Sequence, residues 1–269
     1  MSKRIGVLGC GWLGLPLAQR LVEKGVEVHG TTTSSDKLEA LQNLGIVPYH
    51  ISLSENSIDG YIETFLSHID ILIINVPPKL RHGNAESFIE KMKLLRSKIQ
   101  NSSVSKILFV SSTAVYGDED GDVTEDTLPN PITESGRELL ASEQLFCNDS
   151  SRLTTILRFG GLIGPNRHPI KQLSGKKDLK NGHHSVNLIQ LEDCIHMITT
   201  IIAEEYWGEI FNGVYPLHPS KKEYYSNEAK KRGVPPPEYQ NLPILDKGKR
   251  VKSKKFLQKG HQFTTSILS

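Results

Sequence analysis

The sequence predicts an α/β fold: a doubly wound parallel sheet with a smaller C-terminal lobe. Three observations carry this. A short apolar run at the N-terminus breaks into three closely spaced glycines and then a helical pattern. Strand-like and helix-like segments alternate to about residue 159. The segment Asp70-Ile71-Leu72-Ile73-Ile74-Asn75-Val76 is almost continuously apolar, as a parallel strand covered by helices on both faces requires. β-α-β alternation of this kind implies right-handed crossovers.

The opening strand is Ile5-Gly6-Val7-Leu8, followed by Gly9-Cys10-Gly11-Trp12-Leu13-Gly14 and a helix carrying Leu13, Leu17 and Leu21 to a stop at Gly25. In such a turn the first glycine permits the bend and the second admits a pyrophosphate to the backbone. The third packs helix on strand, and the helix N-terminus favours the anion. The segment therefore reads as the dinucleotide site of a Rossmann-type domain. Further strands are expected at 26–30, 46–49, 70–76, 106–110 and 154–159, and helices at 36–43, 85–100 and 134–147. Ligands of doubly wound sheets bind beyond the carboxyl ends of the strands, so residues 31–35, 76–78, 111–113 and 160–165 should gather round one cleft. From Gly160 the alternation gives way to Gly-Pro turns, a polar loop at 175–184 and shorter pieces. A strand is expected at 186–191, a helix at 192–203, a strand at 211–215 and an extended break at Pro235-Pro236-Pro237. Residues 1–159 thus form the nucleotide-binding domain, and 160–269 a smaller substrate-binding lobe interleaved with it in one compact unit.

Bulk properties narrow the function. The net charge of +2, from 32 basic and 30 acidic residues, gives no global field for nucleic acid. Three scattered cysteines (Cys10, Cys147, Cys194) make neither a disulfide framework nor a zinc site, and point to a reducing, cytoplasmic compartment. Arg4 and Cys10 imitate a lipoprotein leader, but only five residues separate them, too few for a signal h-region. No stretch approaches the roughly 20 apolar residues of a membrane span.

The second strand ends in Gly30-Thr31-Thr32-Thr33-Ser34-Ser35, with no acid before Asp36. An NAD site usually carries an acid there to accept from the ribose 2′-OH. Its absence, with Lys37 nearby, favours NADP over NAD; the same Ser and Thr residues are also ordinary helix caps.

Ser111-Ser112-Thr113-Ala114-Val115-Tyr116-Gly117 follows a strand, and Leu157-Arg158-Phe159-Gly160-Gly161-Leu162-Ile163-Gly164-Pro165 comes later. Further on stand the segments 186–193, 211–213 and Gly248-Lys249-Arg250-Val251. With the glycine turn, these resemble the atypical extended short-chain dehydrogenase/reductase group labelled NAD-dependent epimerase/dehydratase, over almost the whole chain. The resemblance implies that Ser112 hydrogen-bonds a reacting oxygen and that a Tyr-x-x-x-Lys pair on the next helix supplies the proton. Ser135 and Leu139 stand at those two positions here, so the usual pair is missing. General acid catalysis contributes typically 10²–10⁴-fold. Either another group acts, or the protein binds nucleotide as a catalytically silent sensor.

On this reading Gly9, Gly11, Trp12, Leu13 and Gly14 hold the diphosphate, and Thr31, Thr32 and Ser34 line the adenosine ribose. Val76 and Pro77 flank the nicotinamide ribose, with Ser111 also on the cofactor side. Ser112 and Tyr116 are the catalytic candidates, Tyr116 reading first as a packing residue that caps the strand end. Arg167, His168 and Lys176 are candidate substrate contacts. The expected reaction is oxidoreduction or epimerisation of a small polar substrate, sugar-like or nucleotide-linked, and a homodimer is one assembly the sequence allows.

No metal is expected: the neighbours His183 and His184 read as part of a solvated loop, and on a strand they would point apart, with no acid spaced to join them. Seven basic residues between Lys247 and Lys259 read as a solvated face, or as a contact for a phosphorylated substrate. The acidic turn Asp118-Glu119-Asp120-Gly121-Asp122 reads as a hairpin tip, since a calcium loop's spacing and terminal glutamate are absent. Ser112 lacks the G-x-S-x-G elbow of a hydrolase.

Overall fold

The computed structural model describes residues 3–78, 86–241 and 246–268. The first unit runs β1 (Arg4–Leu8), α1 (Gly14–Glu23), β2 (Glu27–Thr32), α2 (Leu38–Asn43) and β3 (Val47–Leu53). Gly25 closes α1 with φ +76°, a left-handed value that glycine adopts without strain. A single 3₁₀ turn, Ser35–Lys37, occupies the start of the expected second helix. Next come β4 (Ile58–Gly60), α3 (Ile62–Ser67), β5 (Ile71–Ile74), α4 (Phe88–Gln100) and β6 (Lys106–Ser112).

The expected helix start at Ala85 lies outside the described residues. Helix α4 begins at Phe88, because Ser87 caps it by accepting the Glu90 N–H. After β7 (Gly121–Val123), α5 (Glu134–Cys147) matches its predicted span, capped by Thr133 accepting the Gly136 N–H. The remaining elements are β8 (Leu153–Phe159), β9 (Gly161–Ile163), α6 (Ile170–Leu173), β10 (Leu188–Gln190), α7 (Leu191–Ala203) and β11 (Ile210–Gly213). The chain finishes with α8 (Lys221–Lys231), β12 (Lys249–Val251) and α9 (Lys254–Gln258).

Eight strands form one sheet in the order β11-β8-β6-β5-β1-β2-β3-β4. Every pair is parallel except β3–β4, so the fold is the Rossmann type. Alternate residues of β6 serve opposite faces. Ile107 and Phe109 join the core beneath α3, α4 and α5; Leu108 and Val110 join the core beneath α1 and α7. A third cluster, with Ile163, Ile170, Leu188, Tyr224 and Tyr225, belongs to the second half. That half also supplies the sheet's last strand, β11, paired with β8, and α7, which packs beside α1.

The acidic turn is not a hairpin tip. Strand β7 pairs in parallel with the distant β12, because the Lys249–Val251 segment folds back across the end of the sheet and supplies a partner that local sequence lacks.

A buried charge pair ties α5 to the sheet within the first half. Arg158 on β8 and Glu143 on α5, each with 3% side-chain exposure, meet at 2.6 Å. Replacing Glu143 with alanine strands the guanidinium in the core; denaturant unfolding is expected to show a loss of about 3–5 kcal/mol. His218, after β11, donates from Nδ1 to the Val186 carbonyl at 3.2 Å. Burial, assisted by Lys252 and Arg250, lowers its pKa from 6.5 to about 4. The unfolded chain takes up this proton near pH 6.5 and the folded chain only near 4, so acidification between those values destabilises the fold. The contribution is at most about 3 kcal/mol, and His218→Gln should flatten the stability profile over that window.

Candidate functional site: the glycine turn and the cleft beside it

The site begins where β1 ends. Gly9 has φ +104°, and a Cβ there would lie 2.6 Å from the Asn75 carbonyl oxygen. Its N–H is accepted by Thr31 Oγ1 at 2.9 Å, and its carbonyl accepts the Asn75 side-chain amide at 3.1 Å. The Cys10 N–H in turn donates to the Thr31 carbonyl at 2.9 Å. A Cβ on Gly14 would lie 2.1 Å from the Gly9 oxygen, so only glycine lets α1 start this close to β1. Around Gly11 the situation is opposite: among the described residues nothing lies within 4 Å of its ideal Cβ. The Trp12 and Leu13 N–H groups, just ahead of α1, find no acceptor among the described residues. Main-chain donors without acceptors, the bare backbone at Gly11 and the positive end of a ten-residue helix together form a cradle for an anion.

Trp12 adds a side-chain link. Its indole N–H donates to the Pro165 carbonyl at 3.0 Å, and the Arg167 guanidinium lies 4.8 Å over its ring. The structure therefore brings Arg167, an exposed residue, to the glycine turn. The Val76 side chain borders Gly9, and exposed Pro77 follows it. Cys10 is buried and its thiol is pushed up to about 12 by desolvation, so it is inert at neutral pH.

Several expected contacts are already engaged within the fold. Thr31 is buried, with its hydroxyl on the Gly9 N–H, so it braces the glycine turn instead of facing a ribose. Thr32 Oγ1, also buried, accepts the Ser34 N–H at 3.1 Å. Of the three, Ser34 keeps partial exposure. Ser111 is buried and donates to Glu143 at 2.5 Å, which removes it from the cofactor side. Tyr116 is fully buried, accepts from Arg158 at 3.0 Å and donates to Asn212 at 2.8 Å. Burial also pushes its phenol up. It is a core residue and not a proton donor to substrate.

His168 is buried too. Nδ1 accepts the Ile170 N–H at 3.2 Å, and Nε2 lies 3.0 Å from the Tyr224 hydroxyl. Both ring nitrogens being used, it is no substrate contact. Lys176 is exposed in the turn after α6, where its carbonyl accepts the Glu238 N–H; among the described residues no hydrogen bond draws its side chain to the glycine turn.

Ser112 remains available. It is half-buried at the end of β6 and caps the 3₁₀ turn Thr113–Tyr116 by accepting the Ala114 N–H at 3.1 Å. Its own proton has no acceptor among the described residues. On α5, Ser135 is half-buried and Leu139 is buried in the core with Tyr116. Two residues escaped the sequence reading. Asn75 bolts β5 to the glycine turn; its signal was its position at the end of an apolar strand. Lys249, read as one member of a basic run, donates to the Thr113 and Gly117 carbonyls at 3.2 and 2.6 Å. Burial lowers its pKa, opposed by the charge of Asp118.

The premise that His183 and His184 point apart on a strand is overturned. They occupy a turn, their rings meet edge to face with centroids 4.6 Å apart, and the distant Asp246 joins them.

Comparison with known proteins follows the same lines. A family model for the NAD binding domain of 6-phosphogluconate dehydrogenase matches residues 4–113. Protein YeeZ of Escherichia coli is 36% identical over 250 residues, spanning 93% of this chain and 91% of that protein. The uncharacterized UDP-glucose epimerase YtcB of Bacillus subtilis is 26% identical over 205 residues, 68% of this chain and 65% of that protein. The UDP-glucuronic acid 4-epimerase of Bacillus cereus, solved in complex with NAD, superposes with a TM-score of 0.78. It is 22% identical and covers 98% of this chain and 93% of that one. Among the described residues no helix is long and apolar enough to cross a membrane.

The two glycines that shape the cradle should respond differently. Gly14→Ala is expected to lose at least about 2 kcal/mol in denaturant unfolding, because a backbone carbonyl cannot yield as a side chain can. Gly11→Ala should stay within about 0.5 kcal/mol of the parent.

Proposed function

The chain belongs to the family of Protein YeeZ and folds as NAD-binding epimerase/dehydratase and short-chain dehydrogenase/reductase proteins do; from that premise we propose an NAD(P)-dependent oxidoreductase or epimerase. Its substrate is small and polar, sugar-like and nucleotide-linked. The observation carrying the reading is the cradle at Gly11, where main-chain donors and empty space coincide at a helix N-terminus. The similarity to an uncharacterized UDP-glucose epimerase and the fold shared with a UDP-glucuronic acid 4-epimerase support the substrate class.

Gly9, Gly11, Trp12, Leu13 and Gly14 hold the diphosphate, and Ser34 faces the adenosine ribose. Val76 and Pro77 flank the nicotinamide ribose. When bound, the dinucleotide supplies reversible hydride transfer at its nicotinamide ring. Ser112 donates a hydrogen bond from its free hydroxyl to the substrate oxygen and polarises it, while the Ala114 N–H holds Oγ in place. Arg167 lies on the substrate side of Trp12. NADP is the preferred nucleotide, since no acid precedes Asp36 at the end of β2 and Lys37 is exposed beside it.

A second reading rests on Leu139. A buried aliphatic side chain at the position the resemblance assigns to lysine leaves no cation to tune a proton donor on α5. The chain is then a nucleotide-binding sensor without turnover. Calorimetry with NADPH and NADH separates the readings when followed by nucleotide-sugar assays at the nicotinamide absorbance and by product chromatography. Tighter NADPH binding is expected, abolished by Gly11→Asp at unchanged thermal stability. Ser112→Ala should lower kcat roughly 100-fold or more with nucleotide affinity retained. Tight binding without turnover, indifferent to Ser112→Ala, would establish the sensor. Absence of heat with either nucleotide would refute both.

A further inference from the structure

Away from the glycine turn, the polar loop before β10 holds a second constellation. His183 and His184 lie in a turn fixed by its backbone. The His184 N–H donates to the Asn181 carbonyl at 3.1 Å, the Lys222 N–H to Gly182 and the Lys221 N–H to His184, both at 2.8 Å. Tyr239 packs on Gly182, where a Cβ would lie 2.8 Å from its ring. Gly248, at φ +64°, lies flat against the His184 ring and would clash with it at 2.5 Å if it carried a Cβ. The two imidazoles are thus set before any ligand arrives.

Asp246 completes the group from far along the chain. Its carboxylate oxygen lies 2.5 Å from His184 Nε2, yet that nitrogen is buried and makes no hydrogen bond among the described residues. The Asp246 carbonyl stands 3.0 Å from His183 Nε2, and its carboxylate also accepts the Gly248 N–H at 3.0 Å. One ligand atom from each of His183, His184 and Asp246 lies within 4.8 Å of the other two.

We propose that His183, His184 and Asp246 bind a single divalent transition-metal ion, with zinc matching the donors best. Two imidazoles supply borderline nitrogen and the carboxylate a harder oxygen, a set zinc accepts, and three protein ligands leave a fourth position open. Tetrahedral zinc with ligands at roughly 2.0–2.2 Å spaces them about 3.4 Å apart, a spacing inside the 4.8 Å within which the three ligand atoms lie. Asp246, the exposed member of the three, is the ligand with room to adjust. Of the basic residues nearby, Arg250 pairs with Asp122, and the Lys247 main-chain N–H is held by Asp120 at 2.7 Å. Through Ser185, Lys247 and Gly248, chain neighbours of the ligands, the site adjoins a cavity of about 220 Å³. The assignment is independent of the nucleotide reading.

The test uses the full-length protein, stripped with chelator and kept reduced. Calorimetry with Zn²⁺ should show one ion per chain. Co²⁺ should give d–d absorption without a thiolate charge-transfer band. Asp246→Asn and His184→Gln should each weaken Zn²⁺ binding at least about tenfold, while the metal-free variants keep the parent's circular dichroism and Tm. Cys147→Ser should leave affinity unchanged. The assignment falls if no saturable Zn²⁺ binding occurs, if Asp246→Asn binds like the parent, or if a thiolate band appears and vanishes in Cys147→Ser. Asp246 being exposed, its variant keeps the test decisive should His184→Gln misfold.

Discussion

The approach of Gly14 to the Gly9 carbonyl is the constraint on which the molecule turns. With 2.1 Å between that oxygen and an ideal Cβ, no side chain fits, and α1 must begin directly above the end of β1. Thr31 from β2 and Asn75 from β5 then reach in from the two neighbouring strands and grip the same glycine. Three adjacent strand ends are thereby registered on one bend. The helix N-terminus, its free donors and the open space at Gly11 follow from that packing; they are not a separate device.

A buried charge cluster does the corresponding work on the other half of the sheet. Glu143 takes the guanidinium of Arg158 and the hydroxyl of Ser111; Arg158 also donates to Tyr116, and Tyr116 to Asn212. A buried charge is costly unless paired and hydrogen-bonded, so the fold recruits nearby hydroxyls into the network. That recruitment explains why Ser111 and Tyr116, one and four residues from Ser112, are withdrawn from the cleft while Ser112 is left with a free proton.

The C-terminal segment is as much part of the first half as of the second. The basic run expected to be a solvated face contains β12, which pairs with β7, and Lys249, whose ammonium braces the turn that Ser112 caps. His168 likewise turns inward, between Tyr224 and Ile170, because the small cluster of the second half needs a filling side chain there. Arg167, one residue earlier, points the other way, onto Trp12. Two neighbours proposed for one role are thus divided by packing.

Local signals determined the α/β class, the glycine turn, the span of α5 and the apolar central strands. Each depends on hydrophobic period, on a capping residue, or on a backbone that only glycine can adopt. Tertiary structure alone decided which hydroxyls stay free, since Thr31 and Ser111 are consumed by Gly9 and Glu143, partners 22 and 32 residues away. It also decided the β7–β12 pairing and the meeting of His183 and His184 with Asp246. Contacts between segments so far apart leave no periodic trace in the chain. The burial of the groups between them sets their energy, and burial exists only after the sheet has closed.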